Sequence, residues 1–83
     1  MLKLNGRKVL QARFHEIIFA RGLGQLEPEI TVGVTAKAKD AEMVKTEDGL
    51  YIKIHSQTEK RFVEIFVPSA NIKNMVFYPE DKT

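Results

Sequence analysis

Residues 61–80, RFVEIFVPSANIKNMVFYPE, decide the fold. The first seven residues alternate in a way that predicts a β-strand, and the strand must stop at Pro68 because proline has no N–H for a ladder hydrogen bond. Ser69 and Asn71 bond readily to nearby backbone and favour a tight turn. The residues between the two strand patterns are too few for a full helix but enough for a single 3₁₀ turn. The stretch IKNMVFY then predicts a final strand.

The preceding segment 41–56, AEMVKTEDGLYIKIHS, predicts a β-hairpin. Residues 46–49 form its turn, with Gly49 expected at positive φ. Side chains of neighbouring strand residues point to opposite faces. One face therefore carries Leu50, Ile52 and Ile54, and the other carries Tyr51, Lys53 and His55. In the strand 61–67 the same rule separates Val63, Ile65 and Val67 from Phe62, Glu64 and Phe66.

Two hairpins followed by a strand, a one-turn 3₁₀ element and a short last strand resemble the end of SH3-like and Sm-like small β-barrels. The resemblance covers about residues 41–78 and rests on element order. It implies that the turn lets the last strand cross the barrel. A plain antiparallel sheet with a kink is the alternative. In length and style the chain also resembles small accessory proteins encoded by bacteriophages.

Residues 7–21 have two interpretations. In the first, Asn5 caps an α-helix over 7–21 that ends at Gly22, with an apolar stripe of Leu10, Phe14, Ile17 and Ile18. In the second, Asn5-Gly6 closes a hairpin between MLKL and KVLQARF. We favour the helix. The predicted fold class is then α+β, with an N-terminal helix packed on a bent antiparallel sheet of four or five strands. An SH3-like small β-barrel is one form such a sheet could take.

Composition predicts one globular domain over residues 1–83, with a frayed tail at 79–83. Hydrophobic residues make up 43% of the chain and charged residues 29%, as in ordinary soluble domains. The chain has no cysteine, which rules out disulfides and thiolate metal sites. Without an apolar run of spanning length or a secretory signal, we expect a cytoplasmic protein. Small domains lacking such staples often oligomerise, so a homo-oligomer is expected as one alternative.

Residue types that carry catalysis are scarce and poorly spaced. His15 and His55 do not form a metal-binding pair, and Ser56 and Ser69 lie outside the known nucleophile motifs. The stretch RGLGQ at 21–25 lacks the third glycine of a dinucleotide fingerprint. We therefore expect no enzyme activity, no metal and no cofactor.

Basic and aromatic residues point to binding instead. Residues 1–26 contain five basic residues and one acidic residue. On the second face of the predicted sheet, lysines and a histidine interleave with aromatic rings, a composition that stacks bases and neutralises phosphates. We therefore expect a nucleic-acid-binding accessory protein that uses Arg7, Lys8, Arg13, Lys45, Tyr51, Lys53 and His55.

The alternative function is a protein-interaction or self-assembly module, with Phe62 and Phe66 at the interface. In a third interpretation this face is buried and binds no partner, because the apolar stripe of a helix over 7–21 could cover it. Burying a phenylalanine contributes about 1.5–3 kcal/mol, which would favour such a cover.

Overall fold

The computed structural model describes residues 6–79. In chain order its strands are β1 (Val9–Phe14), β2 (Phe19–Ala20), β3 (Gly24–Gln25), β4 (Glu29–Thr31), β5 (Glu42–Lys45), β6 (Gly49–Ser56), β7 (Arg61–Pro68) and β8 (Ile72–Phe77). Two 3₁₀ turns lie at Ala36–Ala38 and Ser69–Asn71.

The strands form three antiparallel sheets, ordered β4–β1–β8, β2–β3 and β5–β6–β7. A bridge between Lys8 and Val44 joins the residue before β1 to β5, and the N–H of Lys45 donates to the carbonyl of Arg7 at 2.9 Å. The buried core draws on both three-stranded sheets and on the loops between them; it consists of Val9, Ala12, Phe14, Leu26, Ile30, Ala38, Met43, Leu50, Ile52, Ile54 and Val67.

The predicted α+β class is wrong. Residues 6–79 contain no α-helix, and they form three small sheets rather than one bent sheet of four or five strands. The segment 7–21 instead contains β1 and β2. Ile17, which belonged to the predicted apolar stripe, is 52% exposed, whereas Val9 and Ala12 are buried. Because β1 is the middle strand of its sheet, its backbone is paired on both sides, and this long-range pairing outweighs the helix-like spacing.

The alternative interpretation of the N-terminal segment is confirmed only for its second strand, which is β1. Residues 1–4 and Asn5, which were to supply the first strand and the turn, lie outside the described residues. So does the predicted tail from residue 80 onward. Gly22 has positive φ as expected, but it lies in the turn between β2 and β3 and ends no helix.

The C-terminal predictions are confirmed. β7 ends at Pro68, one 3₁₀ turn follows, and β8 begins at Ile72. The turn transfers the chain from one sheet to the other, because β8 pairs with β1 and not with β7. Its polar residues bond to distant backbone: the Ser69 hydroxyl donates to the carbonyl of Asp48 at 2.8 Å, and the N–H of Glu16 donates to the Asn71 amide oxygen at 2.7 Å.

Gly49 serves a different purpose from the one predicted. It is not among the positive-φ residues but is the first residue of β6, directly opposite Pro68. A Cβ at this position would overlap the backbone carbonyl oxygen of Val67. Glycine is therefore required because the two strands approach closely here.

Candidate binding surface

The residues that face away from the core on β6 and β7 form one continuous surface. Strand pairing places His55 opposite Phe62, Lys53 opposite Glu64, and Tyr51 opposite Phe66. We call this set of six residues the outer face. On the other side of β6, Leu50, Ile52 and Ile54 are fully buried, so the predicted separation of the two faces is confirmed.

Two phenylalanines of the outer face are half exposed. Phe62 is 50% exposed and Phe66 is 52% exposed. The helix that could have covered them does not form, so both side chains remain half exposed within residues 6–79. Exposed aromatic side chains that share one face of a sheet are candidate contacts for another molecule, because aromatic residues are enriched in protein interfaces.

Phe62 is held in place by its neighbours on β6. The His55 ring meets it edge-on, with 5.2 Å between ring centroids and an interplanar angle of 79°. The ammonium nitrogen of Lys53 lies 5.1 Å from the ring centroid, within cation–π range. Both contacts orient the ring while leaving half of it open to solvent.

Tyr51 donates a hydrogen bond to the Glu64 carboxylate across the two strands. This hydrogen bond, with smaller contributions from desolvation and from the charges of Glu64 and Glu42, raises the pKa of Tyr51 to about 12. Tyr51 is therefore a neutral hydrogen-bond donor at neutral pH, and this bond holds its hydroxyl against Glu64.

The charges of this sheet largely compensate one another. Lys53 is the pairing partner of Glu42 on one side and of Glu64 on the other, so the row reads acidic, basic, acidic. Such a row does not concentrate positive potential, which a phosphate-binding surface needs.

The structure separates the residues predicted to bind nucleic acid. Tyr51, Lys53 and His55 share the outer face. Lys45 pairs with Leu50 and so lies on the opposite side of the sheet, where its ammonium group donates to the carbonyl of Thr46 at 2.9 Å. The prediction that Lys45 joins the other three is wrong.

Of the basic residues predicted at the start of the chain, two lie away from the outer face and one lies in a row that leads to it. Arg13 lies in the other sheet and forms an ion pair with Glu29 at 2.7 Å. The guanidinium of Arg7 stacks on the ring of Phe77, 4.4 Å from its centroid. Lys8 pairs with Val44, and Val44 pairs with Tyr51 on its other side. Lys8 therefore lies at the end of a cross-strand row that leads to the outer face.

Sequence reasoning missed two arginines beside the outer face. Arg21 and Arg61 border a depression of about 260 Å³ together with Phe62 and Glu64. Arg61 also pairs with Glu59 at 3.2 Å. The sequence places Arg61 next to Phe62, but nothing in it indicates that Arg21, forty positions earlier in the chain, reaches the same place.

A second depression, of about 250 Å³, lies at the His55 end of the sheet and is also lined by Lys37, Lys39 and Asp40. Lys37 is engaged in structure, because its ammonium donates to the carbonyls of Leu23 and Gln25 at 2.8 and 2.6 Å. In the part of the chain that the structure describes, no three histidine or carboxylate side chains are grouped to hold a metal ion.

Ser56 also has a structural role. It is fully buried, donates to the carbonyl of Gly22 at 2.6 Å and accepts the N–H of Glu59 at 3.0 Å. The first bond ties the end of β6 to the β2–β3 turn, and the second stabilises the β6–β7 turn itself.

Comparison with known proteins leaves this geometry as the basis for function. No family model matches the chain, and no curated protein or solved structure matches it. Between residues 6 and 79 no helix is long and apolar enough to cross a membrane.

Proposed function

We propose that this protein is a non-catalytic protein-interaction module and that the outer face is its binding surface. The observation that carries the proposal is the half exposure of Phe62 and Phe66 on one side of a strand pair whose register is uninterrupted over eight residue pairs. Aromatic anchors surrounded by polar groups are the usual energetic centre of a protein interface.

The charge pattern favours a protein over a nucleic acid. Glu42 and Glu64 flank Lys53, and each would repel a phosphate placed near it. Three of the seven residues predicted to contact nucleic acid, Arg7, Arg13 and Lys45, are engaged elsewhere. A protein partner can satisfy both signs of charge at once.

Peptide selection tests the proposal. A displayed library of random peptides is selected on the immobilised protein, and the affinity of each enriched peptide is measured by fluorescence anisotropy. The Phe62→Ser/Phe66→Ser double variant should lose at least about tenfold in affinity, because truncating an interface anchor costs ~2 kcal/mol or more.

Val76→Ser is the matched control, since Val76 is also apolar and is 47% exposed on β8. It should bind the selected peptides like the unmodified protein. Failure to enrich any peptide, together with a monomeric mass in sedimentation equilibrium, would show that the outer face is not a protein-binding surface. Equal losses in the control and the double variant would lead to the same conclusion.

Binding of single-stranded nucleic acid is the second candidate. The observation that favours it is the open ring of Phe62, which has Lys53 above it and Arg21 and Arg61 beside it. Anisotropy titrations of labelled oligonucleotides at low and moderate salt test it. Salt-sensitive binding that Lys53→Ala weakens and Arg13→Ala leaves intact would favour this candidate over the first.

A further inference from the structure

The backbone of β7 presents alternate residues to its free edge. Asp48 lies directly opposite Ser69 in the extension of the β6–β7 ladder, and the Ser69 N–H donates to the Asp48 carbonyl at 3.1 Å. Directly opposite residues of an antiparallel pair alternate between hydrogen-bonded and non-hydrogen-bonded positions. The odd-numbered residues of β7 therefore bond to β6, and the N–H and carbonyl groups of Phe62, Glu64 and Phe66 point away from it.

The neighbouring ladder agrees with this assignment. On the other side of β6, Thr46 lies opposite Gly49, and its N–H donates to the Gly49 carbonyl at 2.8 Å. The odd-numbered residues of β6 thus bond to β5. Its even-numbered residues are left to bond to β7, as the first ladder requires.

The outward edge of β7 has no partner strand within residues 6–79. At eight residues β7 is longer than the other edge strands of the described residues, β2, β3, β4, β5 and β8. Pro68 occupies the next outward position, where its missing N–H costs no bond to β6. Exposed edges of this kind are templates for pairing with another strand.

Resting on the proposed function, we propose that the free edge of β7 binds an extended segment of another protein as an added antiparallel strand. The residues of that segment opposite Phe62, Glu64 and Phe66 would place their side chains on the outer face. The matching sequence pattern is apolar–x–basic–x–apolar, with the basic residue opposite Glu64.

β6 already presents a related pattern to the other side of β7. Tyr51 lies opposite Phe66, Lys53 opposite Glu64, and His55 opposite Phe62. An added strand with the proposed pattern would repeat this arrangement. The exposed carboxylate of Glu64 would then have a basic neighbour on each side.

A second copy of this chain fits the edge less well. The symmetric antiparallel pairing that aligns Phe62 with Phe66 of the copy also places Glu64 opposite Glu64. Like charges directly opposite one another destabilise a strand pair. Charge complementarity therefore favours a foreign segment with lysine or arginine at the centre.

The probe is a labelled synthetic peptide, acetyl-TVTKTVT-amide, and its partner probe has glutamate in place of the lysine. The unmodified protein should prefer the lysine peptide by about tenfold in anisotropy titrations. Glu64→Lys should reverse that preference, and Glu64→Gln should abolish it. Glu47→Lys, which makes the same charge change in the exposed β5–β6 turn, should keep the original preference.

Methylation of single backbone nitrogens separates strand addition from side-chain docking. In the proposed pairing the lysine N–H of the peptide faces β7, and the N–H of the threonine after it faces away. Methylation at the lysine nitrogen should abolish binding, whereas methylation at the threonine nitrogen should leave it within about twofold.

Binding with both the charge reversal and this methylation pattern would establish strand addition. Equal sensitivity to both methylations would overturn it, while the proposed function would stand if the Phe62→Ser/Phe66→Ser variant still lost affinity. Absence of peptide binding, or a dimer in sedimentation equilibrium that the peptide does not dissociate, would also overturn the edge proposal. If no library peptide binds either, the proposed function falls with it.

Discussion

Replacing Ile52 by alanine should lower the free energy of unfolding by about 3–4 kcal/mol. Ile52 is fully buried at the centre of the middle strand β6, between Met43 and Ile65. Transfer of its lost carbons accounts for ~2.4 kcal/mol at about 0.8 kcal/mol per carbon, and the residual cavity adds the remainder. A chain of this length has roughly 4–12 kcal/mol in total, so the variant should be severely weakened.

Phe66→Ala provides the contrast. Phe66 lies on the adjacent strand but on the outer face, and about half of its side chain is already in water. Full burial of a phenylalanine contributes about 1.5–3 kcal/mol, so its truncation should cost only ~1 kcal/mol. Urea unfolding followed by far-ultraviolet circular dichroism measures both variants.

Equal losses from Ile52→Ala and Phe66→Ala would refute the reasoning. They would mean that the outer face is buried in the folded protein, which would remove the basis of the proposed function. Should Ile52→Ala prove too unstable to purify, Ile52→Val should still cost about 1 kcal/mol. The comparison is then made per carbon removed, because Ile52→Val deletes one carbon and Phe66→Ala deletes six for about the same expected loss.

Three further predictions concern single contacts. With the other tyrosine replaced by phenylalanine, absorbance titration should give Tyr51 a pKa of about 12, and Glu64→Gln should lower it towards the ordinary value of 10.0. Folding stabilises the neutral phenol of Tyr51, because its pKa is raised in the folded protein. Its contribution to the free energy of unfolding is therefore present below pH 10 and is lost as the pH rises towards 12. Unfolding free energies measured across that pH range should show this loss. Ser56→Ala should cost about 0.5–1.5 kcal/mol in urea unfolding, because it removes the partly buried hydrogen bonds of the Ser56 hydroxyl with the Gly22 carbonyl and the Glu59 N–H; an unchanged midpoint would contradict this. Gly49→Ala should lower the thermal midpoint through overlap with the β7 backbone, whereas a raised midpoint would mean that only chain entropy matters there.

The sequence by itself determined the features that depend on neighbouring residues. The period of two along β6 assigns Leu50 and Ile52 to one face and Tyr51 and Lys53 to the other, because strand geometry alternates with each residue. Pro68 marks the end of β7, because proline within a sheet is restricted to strand ends, bulges and edge strands. These effects act over a few bonds, so no knowledge of distant partners is needed to predict them.

The face on which Lys45 lies depends on the number of residues in the turn between β5 and β6. Thr46 pairs with Gly49, and Lys45 is therefore opposite Leu50 and on the core side of the sheet. One more or one fewer residue in the loop would have moved Lys45 to the outer face with Lys53. The sequence predicts a turn at this place, but it does not specify the pairing.

Only the tertiary structure decided the conformation of residues 7–21. Their apolar spacing suits a helix, but Ala12 in β1 is paired with Ile30 on one side and Met75 on the other. Those partners lie far along the chain, so the pairing cannot be predicted from the sequence pattern of residues 7–21. The exposure of Phe62 and Phe66 follows from the same outcome, since the segment that could have covered them as a helix became the middle of another sheet.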